Sequence, residues 1–431
     1  MKKIVLLIAM IVPSILLTAQ INKIDTSFYS QSLGKTMLVD VYFPPGYEDH
    51  PNWYYPVIYC LPAWKNNQNE MGMYYLSTLQ NYINDNLIDP VMMVCANNNP
   101  PPFEGNMYVN SELWGNYEDY NVNDLIEWVE SSFRVIPERD ARGLIGQSMG
   151  ANGAFRYSIL HKDKFRAMAG HAAIVTVDKN LWLDTCRQRI MIEHPSGPPY
   201  FYNYGTNGVF TQGTFLLSGA YSPDTNSPQT YINPQVVNFV FDENCDYIDS
   251  IYQKWVDFDI SLLIQQLTAE DSVGIFYGCG ENDDFLLYPA NLALADTLEM
   301  LELPFEFYSH PGGHNMPAGF RNRAYLFLDS LMVGPSIHTN IPSESQPKIQ
   351  LSTFPNPTNE SLQLSFSMEQ SASVQIEILN TVGSIVLKKD LGIQPSGKHS
   401  QHLDIRHLAS GIYFCKLQVG DQVVVKRLVK L

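Results

Sequence analysis

Three side chains in this 431-residue chain have the types needed for nucleophilic acyl transfer: Ser148, Asp283 and His314. Ser148 is the centre of Gly146-Gln147-Ser148-Met149-Gly150, a G-x-S-x-G pattern. A serine hydroxyl is a weak nucleophile, so it must stand at a cleft within reach of a base, and the base needs an acid to orient it. A G-x-S-x-G turn supplies that exposure, because its glycines let a strand and a helix pass closely with the serine at the apex. The backbone N–H of Met149 then points at the oxyanion that develops on an attacked carbonyl. Alone, the pattern is short enough to arise by chance. Its weight comes from the partners that follow it. Asp283 lies in Gly278-Cys279-Gly280-Glu281-Asn282-Asp283-Asp284, and His314 ends His310-Pro311-Gly312-Gly313-His314. Asp284 competes with Asp283 for the acid, and His310 with His314 for the base, although His310 adjoins an apolar run and precedes a proline.

Each of these residues needs an element that leaves it at a common rim. Gly143–Ile145 reads as a strand before the serine, and Asn152–Leu160 as the helix after it. Val273–Tyr277 is a strand candidate ahead of Asp283, and Phe305–Tyr308 one ahead of His314. Earlier strand candidates are Met37–Phe43, Val57–Leu61 and Val91–Ala96; further helices are expected over Asn123–Phe133, Ala290–Leu301 and Arg321–Met332. Strands alternating with helices predict an α/β fold with a mostly parallel central sheet covered on both faces. Ligands of such sheets bind at the carboxyl ends of the strands, where all three residues fall. A second oxyanion donor is expected in the loop after Val57–Leu61. Pro62 has no N–H, so Ala63 or Trp64 must donate. Residues 178–270 break the alternation with Pro, Gly, Asn and aromatics, and read either as a cap over the cleft or as a structural insertion.

The net charge of −17 disfavours nucleic acid and anionic membrane surfaces as partners. It is uneven: residues 20–349 carry 17 basic and 38 acidic groups, whereas residues 350–431 carry 8 and 6. Lys2-Lys3, the apolar run Ile4–Leu17 and Leu17-Thr18-Ala19 read as a signal peptide over residues 1–19. That run is short for a membrane span and contains Pro13. No other segment reads as a span, so a soluble mature protein outside the cytoplasm is expected. Of the six cysteines, Cys60, Cys95 and Cys279 read as buried thiols, and Cys186 with Cys245 as the best candidates for a bridge. Asp242-x-Asn244-x-Asp246 has the start of a calcium loop, but Tyr247 stands where Gly is needed and Gln253 where Glu is. Neither a metal nor an organic cofactor is expected. Gly334-Pro335 closes the last helix, and residues 334–349 read as a linker. Beyond it, Ser361–Ser367, Ser373–Leu379, Ser384–Lys388, Gln401–Ile405, Ile412–Gln418 and Gln422–Val429 predict a small antiparallel β-sandwich.

Four segments carry a family resemblance: Pro56 to Glu70, Asn110-Ser111 with Gly115 to Tyr120, Arg142 to Ala154, and Gly280 to His314. Together they resemble the esterase D-like branch of the α/β-hydrolases. That branch includes S-formylglutathione hydrolases, feruloyl and acetyl xylan esterases, and mycolyltransferase-like acyltransferases. The resemblance covers most of residues 30–333. It implies an α/β-hydrolase esterase domain over residues 20–333, with Ser148 as nucleophile, Asp283 as acid and His314 as base. It also implies Trp64 and Met149 as oxyanion donors through their backbone N–H groups. Ala63 and Ala151 depart from the family's usual glycines, and their methyl groups are expected to narrow the oxyanion pocket.

Phe354-Pro355-Asn356-Pro357, Ser410-Gly411-Ile412-Tyr413 and the basic residues Lys426, Arg427 and Lys430 resemble the type A sorting domain of the type IX secretion system, over residues 350–431. This implies export through the periplasm to the outside or the cell surface, with the secretion machinery as partner. An adhesive or carbohydrate-binding sandwich is the alternative for this segment. The expected function is a secreted serine carboxylic-ester hydrolase acting on acyl or feruloyl esters of polysaccharides. The alternatives are an acyltransferase and a non-catalytic surface binding protein on the same scaffold.

Overall fold

Side chains of the central strands alternate between two apolar layers, one on each face of the sheet. The computed structural model describes residues 20–70, 75–197, 200, 202, 208–226, 236–337, 349–368, 370–420 and 422–431. The expected signal peptide and most of the linker lie outside the described residues. The sheet strands are β1 (Asn22–Ser30), β2 (Lys35–Phe43), β3 (Val57–Leu61), β4 (Met92–Ala96), β5 (Arg142–Gln147), β6 (Ala167–His171), β7 (Gly274–Gly280) and β8 (Phe305–His310). Their spatial order is β1-β2-β4-β3-β5-β6-β7-β8. β1 and β2 pair antiparallel, as do β2 and β4; every later pairing is parallel. Val57, Tyr59 and Leu61 of β3 join one apolar layer, and Ile58 and Cys60 the other.

The longer helices among the described residues are α1 (Leu76–Asn84), α2 (Leu125–Ser132), α3 (Met149–Leu160), α4 (Asp184–Glu193), α5 (Val209–Tyr221), α6 (Asp249–Val256), α7 (Tyr288–Met300) and α8 (Ala318–Leu331). In α8, Phe320, Ala324, Phe327, Leu328 and Leu331 recur at helical spacing and cover the second layer. α3 lies on the opposite face and buries Ala151, Ala154, Phe155 and Ile159. The described part of 178–270 supplies α4, α5 and α6. It packs Trp182, Phe215, Phe239, Phe241 and Trp255 into the same core as the sheet. The segment is thus both a core insertion and, as shown below, a wall of the cleft.

Strand β6 is not among the sequence expectations, and one expectation needs correction. β6, Ala-Met-Ala-Gly-His, lacks the β-branched residues that mark strands, yet it is buried along its whole length between β5 and β7. Burial on both faces decides its state, not propensity. The expected Cys186–Cys245 bridge is absent: all six cysteines are free and buried. Burial pushes both thiols up in pKa. They therefore stay un-ionised and pack as small apolar groups.

The C-terminal strands are β9 (Gln350–Phe354), β10 (Ser361–Met368), β11 (Ala372–Asn380), β12 (Ile385–Gln394), β13 (Gly397–Asp404), β14 (Gly411–Val419) and β15 (Gln422–Lys430). They form two antiparallel sheets, β9-β10-β13 and β12-β11-β14-β15. Leu362, Leu364 and Phe366 from one sheet meet Val374, Ile376 and Ile378 from the other in a core of their own. Asn356 ties the F-P-N-P motif to the basic strand: its Nδ2 donates to Arg427 O and its Oδ1 accepts from Val429 N, both at 2.8 Å. The Arg427 side chain pairs with Asp329 and, at 3.5 Å, with Asp89. Lys426 Nζ donates to Met332 O at 3.1 Å. Asp89 precedes β4 and Met332 follows α8, so the sandwich docks at the amino ends of the sheet strands.

Candidate active site

The turn from β5 into α3 holds Ser148 at φ 54° and ψ −118°. A non-glycine residue pays a steric penalty there, and its surroundings must enforce it. Ser148 N donates to His171 O of β6 at 2.8 Å. A Cβ on Gly150 would overlap the Leu61 carbonyl of β3, and one on Gly146 would overlap the Gly150 backbone. Only glycine at both places lets the turn close this tightly. Met149 opens α3, so no carbonyl of its own helix accepts its N–H.

The acid and base arrive on the loops after β7 and β8. Asp283 is 3% exposed. Its Oδ1 accepts from Phe285 N at 2.9 Å and Leu287 N at 3.3 Å, which fixes the carboxylate. Its Oδ2 lies 2.7 Å from His314 Nδ1. A carboxylate accepts, so Nδ1 carries the proton and Nε2 remains the basic nitrogen. Phe285 packs against the His314 ring with centroids 4.5 Å apart. Among the described residues, the Asp284 carboxylate accepts only from the backbone N–H of His314, at 3.2 Å. Gln147, next to the serine, donates from Nε2 to His314 O at 3.0 Å and ties the base loop to the turn. Ser148 Oγ has no hydrogen-bond partner among the described residues; nucleophile–base contacts in free enzymes are often long and tighten with substrate.

His310 is engaged elsewhere. Gly312 N donates to His310 Nδ1 at 3.1 Å, so His310 carries its proton on Nε2 and donates to His171 Nε2, 2.9 Å away. Burial lowers the pKa of both rings and keeps the pair neutral.

The loop after β3 is held at nearly every polar atom. Tyr108 Oη donates to Pro62 O at 2.7 Å, and Ala63 N to Glu70 Oε2 at 2.6 Å. Asn66 N donates to Ala63 O and Lys65 N to Glu104 O, both at 3.0 Å, and Trp64 Nε1 to Phe103 O at 2.8 Å. Ala63 N–H is therefore taken, and Trp64 N–H is the donor of the two without a partner among the described residues. A cleft opens here, bounded by Trp64, Ser148, Met149, Trp182, Phe210 and Phe285. Its walls are largely apolar, as in sites that desolvate a ligand. Neither Ala63 nor Ala151 lines it, and the Ala151 methyl lies against Gly170 of β6. The expected narrowing by these methyl groups is thus not realised; Ala151 faces the core.

Sequence reasoning missed Glu70, Tyr108 and Gln147. Glu70 and Tyr108 act across the loop through space, and nothing in their local sequence marks them. Gln147 sits inside the serine motif, where its long amide was the available signal.

Residues 30–332 match the Esterase family model, and residues 352–431 match the secretion-system C-terminal sorting domain. Two Mycobacterium tuberculosis proteins, Esterase Rv1288 and Esterase MT1326, are each 29% identical over 68 residues; that is 16% of this chain and only 15% of their own length. Among solved structures, a ferulic acid esterase superposes with a TM-score of 0.52 at 17% identity, covering 73% of this chain and 100% of that one. The likeness to that structure is one of fold. The sorting domain directs this protein to type IX secretion, out of the cell or onto its surface. With the family model spanning 30–332, the chain belongs to the Esterase family and carries a C-terminal sorting domain.

Proposed function

We propose that the esterase works through an acyl-enzyme on Ser148. His314 Nε2 takes the serine proton as Oγ attacks the ester carbonyl. Asp283 holds the ring in the required tautomer and stabilises the imidazolium. The Trp64 and Met149 amides stabilise the tetrahedral oxyanion. His314 returns the proton to the leaving alcohol, and water then releases the acyl group. The observation that carries this reading is the 2.7 Å contact between Asp283 Oδ2 and His314 Nδ1, tied through Gln147 to a strained serine.

The substrate reading is an acyl or feruloyl ester of a polysaccharide. It is supported by the aromatic cleft, which suits an uncharged acyl group; by export, which brings the enzyme to extracellular polymers; and by the fold of a ferulic acid esterase. A panel of p-nitrophenyl, acetyl xylan and feruloyl xylan esters tests it, with fluorophosphonate labelling alongside. Ser148→Ala should lose labelling and at least about 10⁴-fold in kcat. A wild type that neither labels nor turns over any ester removes the acyl-enzyme reading. Turnover confined to p-nitrophenyl esters removes the polysaccharide one.

A further inference from the structure

We propose that Glu70 is a positioning residue: its carboxylate clasps the loop after β3 so that the Trp64 N–H faces the reacting carbonyl. The proposal rests on the acyl-enzyme reading above and adds to it the group that builds the oxyanion donor.

The argument starts from a planar peptide. In a trans peptide the carbonyl and the following N–H point in opposite directions. The Ala63 carbonyl and the Trp64 N–H share one such plane. Asn66 N–H holds the Ala63 carbonyl at 3.0 Å, so the Trp64 N–H must point away from Asn66. Glu70 Oε2 holds the other side of Ala63, accepting its N–H at 2.6 Å. The side chain of Asn66 stands beside the same carboxylate and lowers its pKa. One carboxylate therefore bonds to Ala63 and borders Asn66, the two residues whose backbone sets the direction of the Trp64 amide. Trp64 borders the cleft beside Ser148 and Met149.

Such a carboxylate is a poor choice for packing alone. Glu70 is 2% exposed, and no cation pairs with it among the described residues. Burying an unpaired carboxylate is unfavourable, and an apolar side chain of that size would stabilise the core better. Burial raises its pKa to about 7, while the Ala63 N–H and the Asn66 side chain pull it back down. A buried acid kept at a cost, bonded to the loop beside a nucleophile, is the pattern expected of a group retained for geometry.

The test uses the full exported chain, with kcat and KM on a p-nitrophenyl ester and fluorophosphonate labelling. Glu70→Ala should lower kcat by about 10- to 100-fold with KM within about threefold, since misplacing one group by an ångström has that scale of effect. Glu70→Gln retains an oxygen that accepts the Ala63 N–H and should recover kcat to within about fivefold of wild type. A Glu70→Ala enzyme with wild-type kcat, a loss carried by KM, or a Glu70→Gln enzyme as slow as Glu70→Ala overturns the proposal. Should Glu70→Ala not fold, Asn66→Ala decides: kcat should fall by about 3- to 10-fold at constant KM, and an unchanged kcat overturns it. A wild type that is neither labelled nor active overturns the acyl-enzyme reading itself, whatever the variants do.

Discussion

The two walls of the cleft are built by different means. On one side, the serine turn follows from a steric rule contained in five residues. Gly146 and Gly150 let β5, α3 and β3 approach, and Ser148 is left at φ 54°. On the other side, the loop carrying Trp64 contains no glycine. It is held by Glu70, Phe103, Glu104 and Tyr108, three of them about forty residues further along the chain. A local rule is all-or-none, whereas a loop held by several separate bonds should weaken by degrees. Changes on the serine side should therefore remove activity, and changes on the loop side should grade it.

The largest effect expected within this comparison is on the serine side. Asp283→Asn keeps the shape but reverses which His314 nitrogen carries the proton, and should cost about 10³- to 10⁴-fold in kcat. Asp284→Asn touches only the His314 backbone N–H and should stay within about threefold of wild type. Steady-state kinetics of the two purified variants decide this, and a damaging Asp284→Asn beside a harmless Asp283→Asn would move the acid to Asp284.

The same division explains what could be read from the chain. The serine turn, the loops with Asp283 and His314, and most sheet strands are written in short stretches: glycines at a turn, apolar runs before a loop, alternation in Leu362, Leu364 and Phe366. β6 escaped because its strand state comes from neighbours on both edges and both faces, not from its own residues. Sequence left Ala63 and Trp64 open as donors; the resemblance implied Trp64. The bond from Ala63 N to Glu70 separates them physically, and that bond depends on folding. The acid pair was similar. Asp283 and Asp284 are adjacent and chemically alike, and only the backbone amides of Phe285 and Leu287 turn one of them inward.

A smaller effect on the loop side is read through stability. Glu70 titrates near its ordinary value of 4.5 when unfolded and at about 7 when folded. The folded state therefore binds more protons between those values, and this group's contribution is fully present below about pH 4.5 and lost as pH rises through about 7. The shift corresponds to roughly 3 kcal/mol. Melting curves should show Glu70→Gln gaining on wild type as pH rises across that window. A difference that is flat from pH 4.5 to 7 would place Glu70 in a more polar setting than its burial implies.

Tyr108→Phe is expected to be milder. The ring stays packed over Gly153 of α3, but Pro62 O loses its donor. A buried carbonyl left unpaired costs about 1–2 kcal/mol. Because Ala63 remains held by Glu70 and Asn66, kcat should fall only about 3- to 10-fold. Denaturant melts and steady-state kinetics check both halves. A loss as large as that of Asp283→Asn would erase the distinction between the two walls.

The smallest expected effect comes from a contact that is longer still in sequence but ends elsewhere. Arg427 of the sorting domain reaches Asp329 and Asp89 at the amino ends of the strands, and burial raises the pKa of Asp329 while Arg427 opposes that rise. Arg427→Ala leaves the Asp329 carboxyl without its cation, so it should bind a proton more readily and the docked face should loosen. Hydrogen exchange should quicken in Gln422–Lys430 and Ala318–Leu331. Neither element supplies a hydrogen bond that holds Ser148 or the Ala63–Trp64 peptide among the described residues, so kcat should remain within about twofold of wild type. If long-range contacts graded activity wherever they lay, Arg427→Ala would resemble Tyr108→Phe. Unchanged kcat with faster exchange would show that remoteness matters to catalysis only where the contact ends on the loop that carries the oxyanion donor.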